Sequence, residues 1–106
     1  MDYLLNKYLP QIEFSSYEEF RDKLKINVPE DFNFGYDVVD AWAKEEPDKK
    51  ALVWVNEEDE EHIFTFTEIS RRSNQVANYL KELGFNKGDV VMMILRRRWE
   101  YWICAT

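Results

Sequence analysis

Apolar positions in the first quarter of the chain recur at helical spacing only after residue 15. The first predicted helix begins at Ser16, which forms a capping-box sequence with Glu19 three residues later. Pro29 interrupts the pattern, so the helix is expected to end before it. Residues 1–14 show no dominant period, and no element is assigned to them. The apolar face of this helix consists of Tyr17, Phe20 and Leu24.

A second helical period follows a connector and leads into a predicted β-hairpin. Pro47 closes this helix, and residues 51–56 (ALVWVN) are β-branched and aromatic, which is typical of a strand. Residues 57–61 are five consecutive acids and indicate a solvated turn, and residues 62–66 (HIFTF) form the second strand. The helix preceding the hairpin has an apolar face made of Tyr36, Val39, Trp42 and Ala43.

A longer helix is predicted over residues 65–83. Its first residue and Glu68 form a second capping box, while Phe64 and Ile69 have the spacing of a hydrophobic staple. Gly84 follows at the point where a helix commonly ends in the left-handed conformation. Arg71 and Arg72 are expected to lie off the packed face. That face, predicted to pack on the strands at 51–56 and 90–95, consists of Ile69, Val76, Leu80 and Leu83.

Residues 90–95 are apolar at every position and follow a turn at Gly88 and Asp89. A strand that is covered on both faces has this pattern. Together with the preceding strand and helix it predicts a right-handed, parallel βαβ unit. Another helix begins at Trp99. The fold class is therefore α/β: two N-terminal helices, a β-hairpin, and then a βαβ unit in an unfinished sheet.

Charge and composition exclude several functional classes. The chain has 21 acidic and 14 basic residues, a net charge of −7, which argues against nucleic-acid binding and against attraction to anionic membranes. The longest apolar run, residues 90–95, is too short for a membrane span. Cys104 is the single cysteine, and the start lacks the pattern of a secretory signal, so the predicted compartment is the cytoplasm.

Candidate chemistry is sparse. His62 is a lone histidine expected on a strand beside the acidic turn, and Cys104 is expected to be a buried small apolar residue. The acids at 57–61 lack the spacing of a calcium loop. No catalytic, cofactor-binding or metal-binding residue is therefore assigned. Phosphate-loop spacing is also missing among the three glycines, Gly35, Gly84 and Gly88.

Three arginines at 96–98, followed by Trp99, Tyr101 and Trp102, form the one cluster that invites a sharper hypothesis. Arginines beside aromatic rings can bind phosphates and stack on bases, and the carboxyl ends of strands often face ligand crevices. In the simpler interpretation they cover a strand end and pair with some of the acids. This simpler interpretation is favoured, and the alternative of a role near a nucleotide or acyl substrate stays open.

Several motifs resemble, in their order and spacing, the N-terminal part of the AMP-forming acyl-CoA synthetases. The last motif, RRRWEYW (96–102), stands where the family more commonly has a Pro-Asn-Ser-Pro-Glu loop, and it is most similar to the medium-chain branch. The resemblance covers about residues 30–106. The motifs are FGYDVV (34–39), PDK (47–49), ALV (51–53), TFTEI (65–69), KGD (87–89) and RRRWEYW (96–102).

This resemblance implies an incomplete piece of the large N-terminal domain of the adenylate-forming fold. Residues 1–34 would be an N-terminal extension with a short helix, and residues 35–106 the truncated start of that domain. The family activates a carboxylic acid with ATP and Mg²⁺ as acyl-AMP and then transfers the acyl group to CoA. Its phosphate loop, adenine and ribose contacts and catalytic lysine all come later than Thr106. We therefore expect this fragment to bind neither ATP nor CoA and to be inactive alone.

Two interpretations from different classes follow. The chain is either a fragment of a fatty-acid-activating ligase or a self-contained module that binds a partner protein through its open sheet and aromatic end. Because the sequence ends on the apolar stretch Ile-Cys-Ala-Thr, the fragment is favoured. Exposed edges and apolar patches also predict that the isolated chain associates with itself.

Overall fold

The computed structural model describes residues 2–106 and separates the chain into two units. One unit is Met1–Phe32 and the other is Asn33–Thr106. The first contains two short helices, and the second contains a β-hairpin among helices. In chain order the elements are α1 Asp2–Tyr8, α2 Tyr17–Lys23, a π-helical turn Gly35–Asp40, α3 Ala41–Glu45, β1 Lys50–Val55, β2 Glu61–Thr65, α4 Phe66–Glu82 and α5 Glu100–Ala105.

The first unit confirms the predicted helix after Ser16 and adds α1, which the sequence pattern did not indicate. The Ser16 hydroxyl accepts a hydrogen bond from the Glu19 amide at 3.1 Å. In a capping box the Glu19 carboxylate would accept from the amide of Ser16. Here it accepts from the amide of the preceding residue, Ser15, at 2.8 Å. The Asn27 amide donates to the carbonyl of Tyr8 at 2.8 Å and joins the connector to α1. Helix α2 itself buries no residue.

The second unit contains the predicted hairpin. Strands β1 and β2 are antiparallel, with Leu52 opposite Phe64 and Trp54 opposite His62. The acidic turn between them is organised by Asn56, whose side-chain oxygen accepts from the amides of residues 58 and 60 at 2.9 Å each. The five acids can therefore point into solvent while the backbone polar groups of the turn stay hydrogen-bonded.

Helix α4 begins at its predicted signals. The Thr65 hydroxyl accepts from the Glu68 amide and the Glu68 carboxylate accepts from the Thr65 amide, so both halves of the capping box form. The flanking Phe64 and Ile69 are buried together in the core. At the other end, Gly84 has a φ of 90°, the left-handed conformation expected there. The core is completed by Val39 and Ile103, against which Ala51, Leu52, Phe66, Val76 and Trp99 pack.

The helix before the hairpin differs from the expected regular α-helix. Residues Gly35–Asp40 form a π-helical turn and only Ala41–Glu45 are α-helical. A π-turn adds residues to each turn and therefore rotates the face that a spacing of 3.6 would align. Val39 is buried as predicted, whereas Tyr36 is 68% exposed.

The main difference between the prediction and the structure concerns residues 90–95, which were expected to form a strand. In the described part of the chain the sheet has two strands, β1 and β2, and residues 90–95 join neither. The parallel βαβ unit is therefore not observed. A segment that is apolar on both faces requires neighbouring strands and covering helices. Here Val90, Met92 and Ile94 are 82–90% exposed, and Met93 is half-buried.

The burial of the apolar face of α4 also differs from the prediction. Ile69 is buried and Val76 and Leu80 are half-buried, but Leu83 is 57% exposed. The apolar face of the helix is therefore packed at its start and open at its end. The second strand on which this face was predicted to pack, at residues 90–95, is not observed among residues 2–106.

Candidate functional site

Aromatic side chains from the hairpin and from the residue before α5 meet over the core. The indole of Trp54 lies 5.6 Å from the ring of His62, and His62 lies 5.6 Å from Trp99, measured between ring centroids. Phe64 and Trp99 are 5.0 Å apart. Trp54 and His62 share a face because they are opposite residues of the antiparallel pair.

Arg72 of α4 joins these rings, and the five residues are called here the arginine–aromatic cluster. The guanidinium carbon lies 5.2 Å from the centroid of Phe64 and 5.4 Å from that of Trp99. These distances fit cation–π attraction. The Arg72 Nε atom is buried and has no hydrogen-bond partner within residues 2–106. The sequence pattern placed Arg72 off the packed face of α4, and its position three residues after Ile69 is the signal that should have placed it beside the core.

An open groove of about 320 Å³ runs beside this cluster. Its wall is mostly apolar, with Arg72 and Glu100 as the charged groups. Cys104 lines the groove and is exposed, so its predicted burial is wrong; Ile103 is the residue of α5 that enters the core. The other lining residues are Gln75, Val76, Tyr79, Trp99 and Ile103. This surface can hold an apolar or aromatic group, and it presents no paired acid and base.

The three arginines at 96–98 have different environments. Arg98 forms a two-pronged ion pair with Glu100, at 2.7 and 3.1 Å, as the favoured interpretation of this cluster requires. The hydrogen bond to Arg98 lowers the pKa of Glu100, and the same contact raises the pKa of Arg98. The carbonyl of Arg97 accepts from the indole nitrogen of Trp54 at 2.8 Å. Backbone and side chain thus tie this segment to β1 and α5.

Arg96 and Arg97 line a second cleft of about 850 Å³. Glu57 and Glu58 of the acidic turn line the same cleft. A phosphate group would meet two carboxylates beside the two guanidinium groups, and the like charges would oppose its entry. The two acids in this cleft therefore weigh against the nucleotide-binding interpretation of the arginines.

The rest of the candidate chemistry is spread out. His62 lies on β2 beside the acidic turn, as predicted. Within residues 2–106, no three His, Cys, Asp or Glu side chains are close enough to share a metal ion. None of the described helices has both the length and the apolar character needed to cross a bilayer. Sequence and structure together describe, over residues 2–106, a packed hairpin–helix unit with an open groove.

Comparison with known proteins supplies what the geometry does not. A sequence profile described as "AMP-binding enzyme" matches residues 39–106. "Acyl-coenzyme A synthetase ACSM3, mitochondrial" from Homo sapiens is 38% identical over 96 residues, which are 85% of this chain and 16% of that protein. "Acyl-coenzyme A synthetase ACSM5, mitochondrial" from Rattus norvegicus is 39% identical over 85 residues, 74% of this chain and 15% of that protein. "Acyl-coenzyme A synthetase ACSM2A, mitochondrial" from Homo sapiens is 42% identical over 82 residues, 72% of this chain and 14% of that protein.

These matches confirm the resemblance to acyl-CoA synthetases that the motifs carried. The chain spans about a sixth of the length of the curated relatives it matches. The relatives are named as mitochondrial proteins, which differs from the cytoplasm predicted for this chain. The profile match covers well over half of the sequence, and this chain belongs to the AMP-binding enzyme family.

Proposed function

We propose that the chain is the N-terminal part of an ATP-dependent acyl-CoA synthetase. The parent enzyme would activate a carboxylic acid, and specifically a fatty acid, before transferring it to CoA. The observation that carries the proposal is the identity of 38–42% to three acyl-coenzyme A synthetases over 72–85% of this chain. The alternative of a self-contained interaction module has no comparable support.

The proposed reaction has two steps. The substrate carboxylate attacks the α-phosphorus of ATP, forming an acyl–phosphate bond and releasing pyrophosphate, with Mg²⁺ stabilising the phosphate charge. The thiolate of CoA then attacks the acyl carbon and releases AMP. We propose that the phosphate contacts come from other parts of the parent enzyme; the acids Glu57 and Glu58 in the cleft beside Arg96 and Arg97 oppose a phosphate there. The role proposed for this chain is to build the scaffold on which such contacts are held.

The proposal also divides the chain into two parts. Residues 1–34 are proposed as an N-terminal extension and residues 35–106 as the start of the AMP-binding domain. The profile match begins at residue 39, after the proposed boundary. The cytoplasm is retained as the predicted compartment, and a fluorescent fusion of the complete protein, compared with a mitochondrial marker, would test it.

A pyrophosphate-exchange assay tests the function. The 106-residue chain and the protein from the complete reading frame would each receive ATP, Mg²⁺, labelled pyrophosphate and straight-chain carboxylic acids of graded length. A parallel reaction would contain CoA in place of the pyrophosphate. We expect acid-dependent exchange and acyl-CoA formation by the complete protein and none by the 106-residue chain. Omitting the acid is the control, because exchange without it would come from another activity.

Calorimetry with ATP and Mg²⁺ adds a binding measurement. We expect the isolated chain to take up no ATP in the micromolar range. Micromolar binding would contradict the proposal that this chain lacks the phosphate contacts. A complete protein that forms no acyl-CoA from any carboxylic acid would contradict the assignment of the parent reaction.

A further inference from the structure

We draw no further inference here: the strongest candidate, the mostly apolar groove of about 320 Å³ between α4 and α5 beside the arginine–aromatic cluster, is an open face of a chain that spans about a sixth of the length of its relatives, and nothing in the structure shows what covers it.

Discussion

Ile69 and Ile94 are both isoleucines in apolar regions of the second unit, but Ile69 is buried and Ile94 is exposed. Ile69 opens α4 and is 5% exposed, packed with Phe64 and Ile103. Ile94 lies in residues 90–95 and is 86% exposed. Both regions are rich in large aliphatic side chains, so hydrophobicity alone does not separate them.

The two regions differ in where their partners come from. The start of α4 is defined by neighbours in sequence: Thr65 caps it, Phe64 precedes the cap, and β1 is reached by a short turn. Residues 90–95 need strands on both sides and cover on both faces, all of which must come from distant chain or another molecule. Local partners therefore order one region, while the other keeps its surface open.

The largest expected effect comes from the same substitution at the two isoleucines. Ile69→Ala should lower the free energy of unfolding by about 2–5 kcal/mol, because it removes buried methylene groups and leaves a cavity. Ile94→Ala should change it by less than about 0.5 kcal/mol, because that side chain is in solvent. Urea denaturation of dilute, monomeric protein would measure both. Equal losses would mean that residues 90–95 are packed in solution.

The cap of α4 should have an intermediate effect. Thr65→Ala removes the acceptor for the Glu68 amide and should cost about 0.5–2 kcal/mol. Thr65→Ser is the matched control, since it keeps the hydroxyl and should retain most of that stability. Denaturant midpoints would compare the two. If both variants lost the same stability, the methyl group rather than the cap would be responsible.

The smallest effect concerns the ion pair that borders the open segment. Hydrogen bonding to Arg98 lowers the pKa of Glu100 below its ordinary value of 4.5. The pair should therefore stabilise the fold fully above that value and lose its contribution as the pH falls through the lowered pKa. Its side chains are 59 and 33% exposed, so solvent screens the pair and its contribution should be smaller than that of the Thr65 cap.

Unfolding free energies between about pH 6 and pH 3 would test this, the range spanning the ordinary carboxyl value. Glu100→Gln should flatten that part of the curve, whereas Glu82→Gln, at an exposed position of α4, should leave it in place. A Glu100→Gln curve that matches the unchanged chain would show that the ion pair contributes nothing in solution.

Local signals in the sequence were sufficient for the elements whose partners are near in the chain. The capping residues Thr65 and Glu68 located the start of α4, the alternation of β-branched and acidic runs located the hairpin, and Gly84 marked the end of the helix. The order of motifs was sufficient for the family. These features depend on backbone preferences and spacing, which act over a few residues.

Tertiary structure decided the rest. It placed Arg72 over the rings of Phe64 and Trp99 instead of in solvent, and it exposed Cys104 while burying Ile103. It also left residues 90–95 outside any sheet, although their pattern is that of a buried strand. The physical reason is that an apolar pattern records a demand for burial, whereas burial itself depends on which surfaces the rest of the molecule brings within contact distance.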